Sequence, residues 1–285
     1  MNGTIMKTFT SLAAAGAAMF AAASAQTVAI IDGTVHTVSG GVIENGDVII
    51  RDGRIAQVGA NLSAPNGATV IDASGKIVTP GLIAGYTSLG LVEIGAVSDS
   101  NDSTPDVGFP LGAALNTVDA FNPRSTLIPV NRAAGVTRAL SAPNAGDALF
   151  GGKAAVIDLS GRPNSITRAD AAQVAVMGSG GAARSGNTRL GAWAVLREYL
   201  DEARSYQANP NDYVRRPHSD RFALSDLKAL GPVVSGEQPL IVRINSATGI
   251  RTLIRLKNTY RLRVVIIGAS EGWRVASELA AANIP

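Results

Sequence analysis

Short apolar runs separated by turn residues fill the chain from residue 27 to residue 78. The runs at residues 47–51 and 54–58 flank Asp52-Gly53, and Asp-Gly in that position is a strong signal for a two-residue β-hairpin. Four or five short strands in about 50 residues bury little apolar surface alone. The pattern therefore predicts a small N-terminal β-sandwich portion, residues 26–79, that needs a larger body to pack on.

The pattern changes at Pro80-Gly81, which lies between apolar runs at residues 77–79 and 82–84. Proline cannot donate a hydrogen bond to a β-ladder and glycine tolerates any turn, so this dipeptide predicts a boundary between two sheets. Strand and helix patterns alternate after it. We therefore expect a second domain over residues 80–285.

The clearest helix pattern covers residues 188–207, where Trp193, Leu196, Tyr199, Leu200 and Ala203 share one apolar face. Alternating strands and amphipathic helices favour a parallel sheet, which right-handed crossovers curl towards a (β/α)8 barrel. The other predicted elements of this part are a helix at 126–133, strands at 135–140, 154–159, 239–245 and 263–268, a helix at 247–260, and a helix around Trp273 capped by Ser270.

Residues 178–183, GSGGAA, fit the G-x-G-x-x-A pattern of dinucleotide sites. That pattern is informative only between a strand and a helix. Residues 168–177 have a helical pattern, so residues 178–183 are predicted to form a loop and dinucleotide binding is disfavoured. Residues 212–218, which end at His218, are predicted to form an exposed polar loop.

A family resemblance rests on residues 71–90. The segment VTPGLI at residues 78–83, preceded by Ile71-Asp72-Ala73 and Gly75-Lys76, resembles the start of the barrel in the amidohydrolase superfamily, and most of all its secreted imidazolonepropionase-like branch. The resemblance implies an α/β fold in which a small β-sandwich portion precedes a TIM-type (β/α)8 metal-dependent-hydrolase barrel. It also implies hydrolysis of non-peptide C–N bonds in cyclic or linear amides, with zinc or another divalent metal as cofactor.

At the positions where this resemblance implies histidine metal ligands, this chain has other residues. The family's His-x-His pair at the end of the first barrel strand corresponds to Tyr86 and Ser88. The later histidine positions correspond to Arg243 or Asn245, because the register is ambiguous by two residues, and to Ile267. Arginine has no lone pair to offer a metal and isoleucine has no donor atom, so no metal site is predicted from these residues.

The candidate pocket residues are Tyr86, Ser88 and Asn245, with Asp99 and Asp102 on the rim. The rim residues belong to a polar loop, residues 99–106, which lacks the glycine and closing glutamate of a calcium loop. The chain has only two histidines, His36 and His218. Neither is predicted at a strand end, so a shared metal site between them is disfavoured.

Residues 1–25 have the pattern of an export signal. Lys7 precedes an alanine-rich apolar run, and Ala23-Ser24-Ala25 is a cleavage site before Gln26. We therefore expect a periplasmic or extracellular protein without a membrane span. The formal net charge of +3 is too small to favour nucleic-acid binding. The chain has no cysteine, which excludes disulfides and thiolate chemistry.

Two functions remain open from the sequence. The first is an exported amidohydrolase-family hydrolase with a degenerate metal site. The second is a catalytically inactive relative that keeps the barrel as a binding or partner module for a small amide-like molecule. Substrate and homo-oligomerisation stay open.

The sequence also predicts an incomplete barrel. About five of the eight expected barrel units are recognisable, and the chain stops where the next strand is expected. A fragment of this kind would lack its C-terminal part, expose strand edges and aggregate readily.

Overall fold

The computed structural model describes residues 27–215 and 221–285. The predicted export signal and His218 lie outside these ranges. The described residues form two compact units, which divide between Pro80 and Gly81. Within the described ranges, no helix combines the length and the apolar character that crossing a membrane requires.

The first unit contains a five-stranded sheet. Its order is β3-β2-β1-β4, and β5 also pairs with β1. The predicted hairpin at Asp52-Gly53 is confirmed, because both residues have positive φ (53° and 71°), as the favoured two-residue turn requires. The strands are β1 Thr27–His36, β2 Val42–Arg51, β3 Arg54–Ala60, β4 Thr69–Asp72 and β5 Ile77–Val78.

The second unit is built on a six-stranded sheet of order β11-β10-β9-β8-β7-β6. Pro80 and Gly81 separate β5 of the first sheet from the first strand of this one, as the sequence predicts. The strands are β6 Leu82–Thr87, β7 Val136–Ser141, β8 Phe150–Asp158, β9 Ile166–Val176, β10 Leu240–Ile244 and β11 Val264–Gly268.

The expectation of a wholly parallel sheet is wrong. β6 and β7 are parallel, and so are β9, β10 and β11, but β8 runs antiparallel to both β7 and β9. Only seven residues connect β8 to β9, and a parallel crossover needs a dozen or more. The remaining five strands share one direction, as the strands of a (β/α) barrel do.

Helices cover one face of this sheet. The largest apolar cluster packs the three longest helices after residue 188 against β9 and β10. The predicted helices at 126–133, 188–207 and 247–260 are confirmed. The helices are α1 Thr117–Ala120, α2 Leu127–Ala133, α3 Gly178–Ala183, α4 Arg189–Ala208, α5 Pro210–Arg215, α6 Leu224–Val234, α7 Ala247–Tyr260 and α8 Ala276–Ala281.

Several local predictions are corrected. Residues 168–177 are not helical, because β9 continues to Val176, and residues 178–183 form α3 rather than a loop. Residues 210–215 form α5, in which Tyr213 is buried, rather than an exposed loop. Trp273 lies in a 3₁₀ turn before α8 and is 77% exposed, and Ser270 does not cap that turn.

The six-stranded sheet is strongly curled. Three strands separate β6 from β10, and neighbouring strands lie about 4.8 Å apart, so the two would be about 19 Å apart in a flat sheet. Yet the guanidinium carbon of Arg243 on β10 lies 5.3 Å from the ring centroid of Tyr86 on β6. The predicted α/β class, with a strand-rich N-terminal part before an incomplete TIM-like barrel, is confirmed.

Candidate functional site

A cavity of about 930 Å³ opens at the carboxyl ends of β9 and β10. We call it the mouth cavity. Its wall is formed by three segments that follow strands: Asn144 and Ala145 after β7, Met177 and Gly178 after β9, and Asn245 and Ser246 after β10. The loops at this end of the strands carry the active sites of (β/α) barrels, so this is where a site is expected.

The alternation of side chains along β10 decides what reaches the cavity. Leu240, Val242 and Ile244 face the helices, whereas Ile241 packs into an apolar cluster on the opposite, concave face of the sheet. Arg243 has the same parity as Ile241 and therefore lies on the concave face, near the carboxyl end of the strand. Its side chain is the charged group that β10 brings to the mouth cavity.

Arg243 lies against Tyr86. The guanidinium carbon is 5.3 Å from the ring centroid, a cation–π distance, and the Tyr86 hydroxyl donates to the Pro143 carbonyl oxygen at 3.4 Å. Burial raises the pKa of the Tyr86 hydroxyl, and the positive charge of Arg243 opposes that shift without cancelling it. Tyr86 is therefore protonated at neutral pH and can donate a hydrogen bond but not act as a base.

Arg184 closes one side of the cavity. Its guanidinium donates to the carbonyl oxygens of Ala145 (2.8 Å), Gly146 and Gly180 (2.7 Å). These bonds tie the segment that follows β7 to α3. Because three separate nitrogens are engaged, the side chain has a fixed position.

Asn245 is held in place at the other side. Its Oδ1 accepts a hydrogen bond from the Ser270 hydroxyl at 3.2 Å, which is the role that Ser270 has in place of capping. Gly268 leaves room for this amide, since a Cβ there would lie 2.5 Å from Asn245 Oδ1. The Glu271 carboxylate accepts from the Ala247 backbone N–H at 2.8 Å and so satisfies the start of α7.

The structure brings some predicted site residues together and separates others. Asn245 lines the mouth cavity, and Tyr86 contacts the lining residue Arg243. Ser88 follows the end of β6 and is not among the lining residues. Asp99 and Asp102 line a second cavity, of about 750 Å³, which shares Thr104 with the first.

The residues that the family resemblance aligns with metal ligands do not suit a divalent metal. Tyr86 is a protonated phenol, Ile267 packs in the apolar cluster of the concave face, and Arg243 places a positive charge beside them. Within residues 27–215 and 221–285, no three His, Cys, Asp or Glu side chains are grouped so that they could hold a metal ion. His36 lies in β1 of the first unit.

Sequence reasoning missed Arg184 and Arg189. Both line the mouth cavity, and both follow the segment that was predicted as helix and loop. Recognising β9 as a strand would have placed residues 177–189 at the carboxyl edge of the sheet. The signal for β9 is its buried run, residues 171–175, which is apolar except for Gln173.

Comparison with known proteins gives a fold and a partial sequence relationship. No protein-family model matches the chain. An amidohydrolase from Thermotoga maritima MSB8 superposes with a TM-score of 0.76 and 22% sequence identity, over 90% of this chain and 68% of that one. The chain has an amidohydrolase fold.

The sequence relationship covers a short segment. A dihydroorotase from Citrifermentans bemidjiense is 53% identical over 51 residues, 18% of this chain and 12% of that protein. A 5'-deoxyadenosine deaminase from Methanothermobacter thermautotrophicus is 41% identical over 59 residues, 21% of this chain and 14% of that protein. Together with the fold, these matches support the amidohydrolase superfamily. The imidazolonepropionase-like branch stays a prediction.

Proposed function

We propose that this chain belongs to an amidohydrolase-superfamily protein that binds a small amide-containing molecule in the mouth cavity, with a degenerate metal site. The observation that carries the proposal is the contact between Arg243 and Tyr86 at the place where the family resemblance implies metal ligands. A guanidinium there repels a divalent cation and supplies hydrogen-bond donors to a ligand instead.

The rest of the cavity wall suits an amide. Three asparagine side chains line it, Asn144, Asn187 and Asn245, together with the hydroxyls of Ser179 and Ser246. An asparagine amide both donates and accepts, so it can pair with the N–H and the C=O of another amide. Small-molecule binding sites are concave, and a few polar groups in fixed positions orient the ligand in them.

The binding proposal is tested with N-acetylglycinamide as the probe. In ¹⁵N-labelled native protein we expect the backbone amide signals of Met177, Gly178 and Asn245 to shift on titration. Asn245→Ala should weaken binding, and the exposed Asn211→Ala, which lies outside the cavity, should not. Shifts confined to other parts of the chain would contradict the proposal.

Hydrolysis of a non-peptide C–N bond is the second candidate function. The similarity to dihydroorotases and to a 5'-deoxyadenosine deaminase favours it, because both names denote enzymes. An assay for ring opening of hydantoin by the purified native protein, with and without added zinc, distinguishes the hydrolase from the binding protein. Turnover that requires zinc would support the hydrolase, and no turnover in either condition would support the binding protein.

We also propose that the protein is exported, since residues 1–25 have the three-part pattern of a signal peptide. N-terminal sequencing of protein from the periplasm or the medium should begin at Gln26. Protein that retains Lys7 and remains in the cell would contradict export.

A further inference from the structure

We infer that the ligand of the mouth cavity carries a carboxylate, which Arg189 and Arg243 bind. This inference rests on the proposed function, because it specifies the class of amide that the same cavity takes. Three arginines line the cavity, Arg184, Arg189 and Arg243, and its lining includes no aspartate or glutamate. A concave site with three positive charges and no negative one attracts anions.

The lack of ion pairs at these three arginines contrasts with arginines elsewhere. Arg251 pairs with Glu278 and Arg221 with Glu198, each at 2.8 Å. No carboxylate in the described part of the chain forms an ion pair with Arg184, Arg189 or Arg243. The nearby Glu271 carboxylate bonds to the start of α7 and does not line the cavity.

Arg189 stands at a position that local helix energetics disfavour. It is the first residue of α4, a helix of 20 residues capped by Thr188. The N-terminal end of a helix carries a partial positive charge, so a cation is unfavourable there and an anion favourable. An anionic ligand in the mouth cavity beside Arg189 would turn this repulsion into attraction.

The three arginines differ in what they can offer a ligand. Arg184 is engaged by three backbone carbonyls and supplies a fixed charge. Arg243 and Arg189 are both exposed, and Arg243 is oriented by the Tyr86 ring. A guanidinium presents paired N–H donors that match the two oxygens of a carboxylate. Arg189 and Arg243 are therefore the residues that would contact the anion.

A matched pair of probes isolates the contribution of the negative charge. N-acetylglycine and N-acetylglycinamide have the same size and the same amide, and differ in carrying a carboxylate or a neutral amide. By calorimetry on the native protein at low salt, we expect N-acetylglycine to bind about tenfold more tightly, which corresponds to about 1.4 kcal/mol. That advantage should shrink as salt is raised, because salt screens exposed charges.

Variants locate the effect. Arg189→Gln and Arg243→Gln should each weaken the binding of N-acetylglycine about tenfold and weaken that of N-acetylglycinamide much less, since the bond that is lost is charge-assisted only with the carboxylate. Arg243→Lys should retain part of the affinity because it keeps the charge without the paired donors. Arg138→Gln is the control, since Arg138 is an exposed arginine on β7 of the same sheet and does not line the cavity.

The outcomes separate this inference from the proposed function. Equal affinity for N-acetylglycine and N-acetylglycinamide would contradict the inference that the ligand carries a carboxylate, and it would leave the proposal of amide binding intact. If succinate binds as tightly as N-acetylglycine and N-acetylglycinamide does not bind, the anion site is supported and the proposal of amide binding is contradicted. Inorganic phosphate that binds more tightly than either would overturn the preference for a carboxylate, and no binding of any probe would overturn both.

Discussion

Asp226 is a buried carboxylate on which the packing of the second unit depends. Its side chain lies in the first turn of α6 and has no solvent exposure. One oxygen accepts from the Ala114 backbone N–H at 2.7 Å, and both accept from Gly112 N–H at 3.1–3.2 Å. These bonds join residues more than 110 positions apart in the chain. Replacing Asp226 with alanine would leave two backbone donors without an acceptor.

The expected loss of stability follows from the two backbone N–H donors that would lack an acceptor. A buried donor without a partner costs about 1–3 kcal/mol, so Asp226→Ala should lower the free energy of unfolding by about 2–4 kcal/mol, after removal of the buried charge offsets part of the loss. Asp226→Asn keeps one acceptor oxygen but turns an N–H group towards another donor. We expect it to cost about half as much.

Urea unfolding followed by fluorescence of Trp193 and Trp273 measures the effect, as a shift of the midpoint at an unchanged slope. Asp119→Ala is the control, because Asp119 is exposed and its side chain does not hold another segment. An Asp226→Ala protein whose free energy of unfolding lies within about 0.5 kcal/mol of the wild-type value would contradict this prediction. So would an Asp226→Asn protein less stable than Asp226→Ala.

Three further predictions concern particular residues. Burial raises the pKa of Asp226 despite hydrogen bonds from Ala114 and Gly112. The stability of the wild type relative to Asp226→Asn should therefore be largest below the unfolded-state pKa of 3.8 and should fall as pH rises through the folded-state pKa. Urea midpoints from about pH 3.5 to 7 measure this difference. Gly268→Ala should lower the thermal midpoint, since φ is +86° and the added Cβ would meet Asn245, whereas the same change at Gly95, where nothing lies close, should be neutral by calorimetry. Ser246→Ala should cost about 1 kcal/mol by removing the N-cap of α7, and Ser246→Asp should restore most of it, measured by urea unfolding.

Helices α4 and α7 were correctly predicted because each has one buried face and an N-cap residue, Thr188 or Ser246. Ser246 caps α7, and the helix covers the predicted residues 247–260. β9 was missed because residues 171–175 are buried on both faces of the sheet and therefore show no alternation. The direction of β8 is not a property of its own residues. It follows from the short connection to β9, which could be interpreted only once β9 was known to be a strand.

The candidate site was only partly predictable, because the missed strand β9 positions some of its residues. Tyr86 and Asn245 were named as candidates because a family resemblance places them at strand ends, and in the structure Asn245 lines the mouth cavity and Tyr86 contacts Arg243. Arg184 and Arg189 follow β9, so the error there removed them from consideration. The contact between Arg243 and Tyr86 depends on the curl of the whole sheet, which joins residues on strands β10 and β6 and has no local sequence signal.

We propose that the positions at which the family resemblance implies metal ligands are degenerate in this protein. Elemental analysis of the purified native protein, before and after incubation with zinc and removal of unbound ions, tests it directly. We expect far less than one metal ion per chain in both samples, because Tyr86, Arg243 and Ile267 do not make a ligand set. One or two zinc ions retained per chain would contradict it and make the hydrolase the better description.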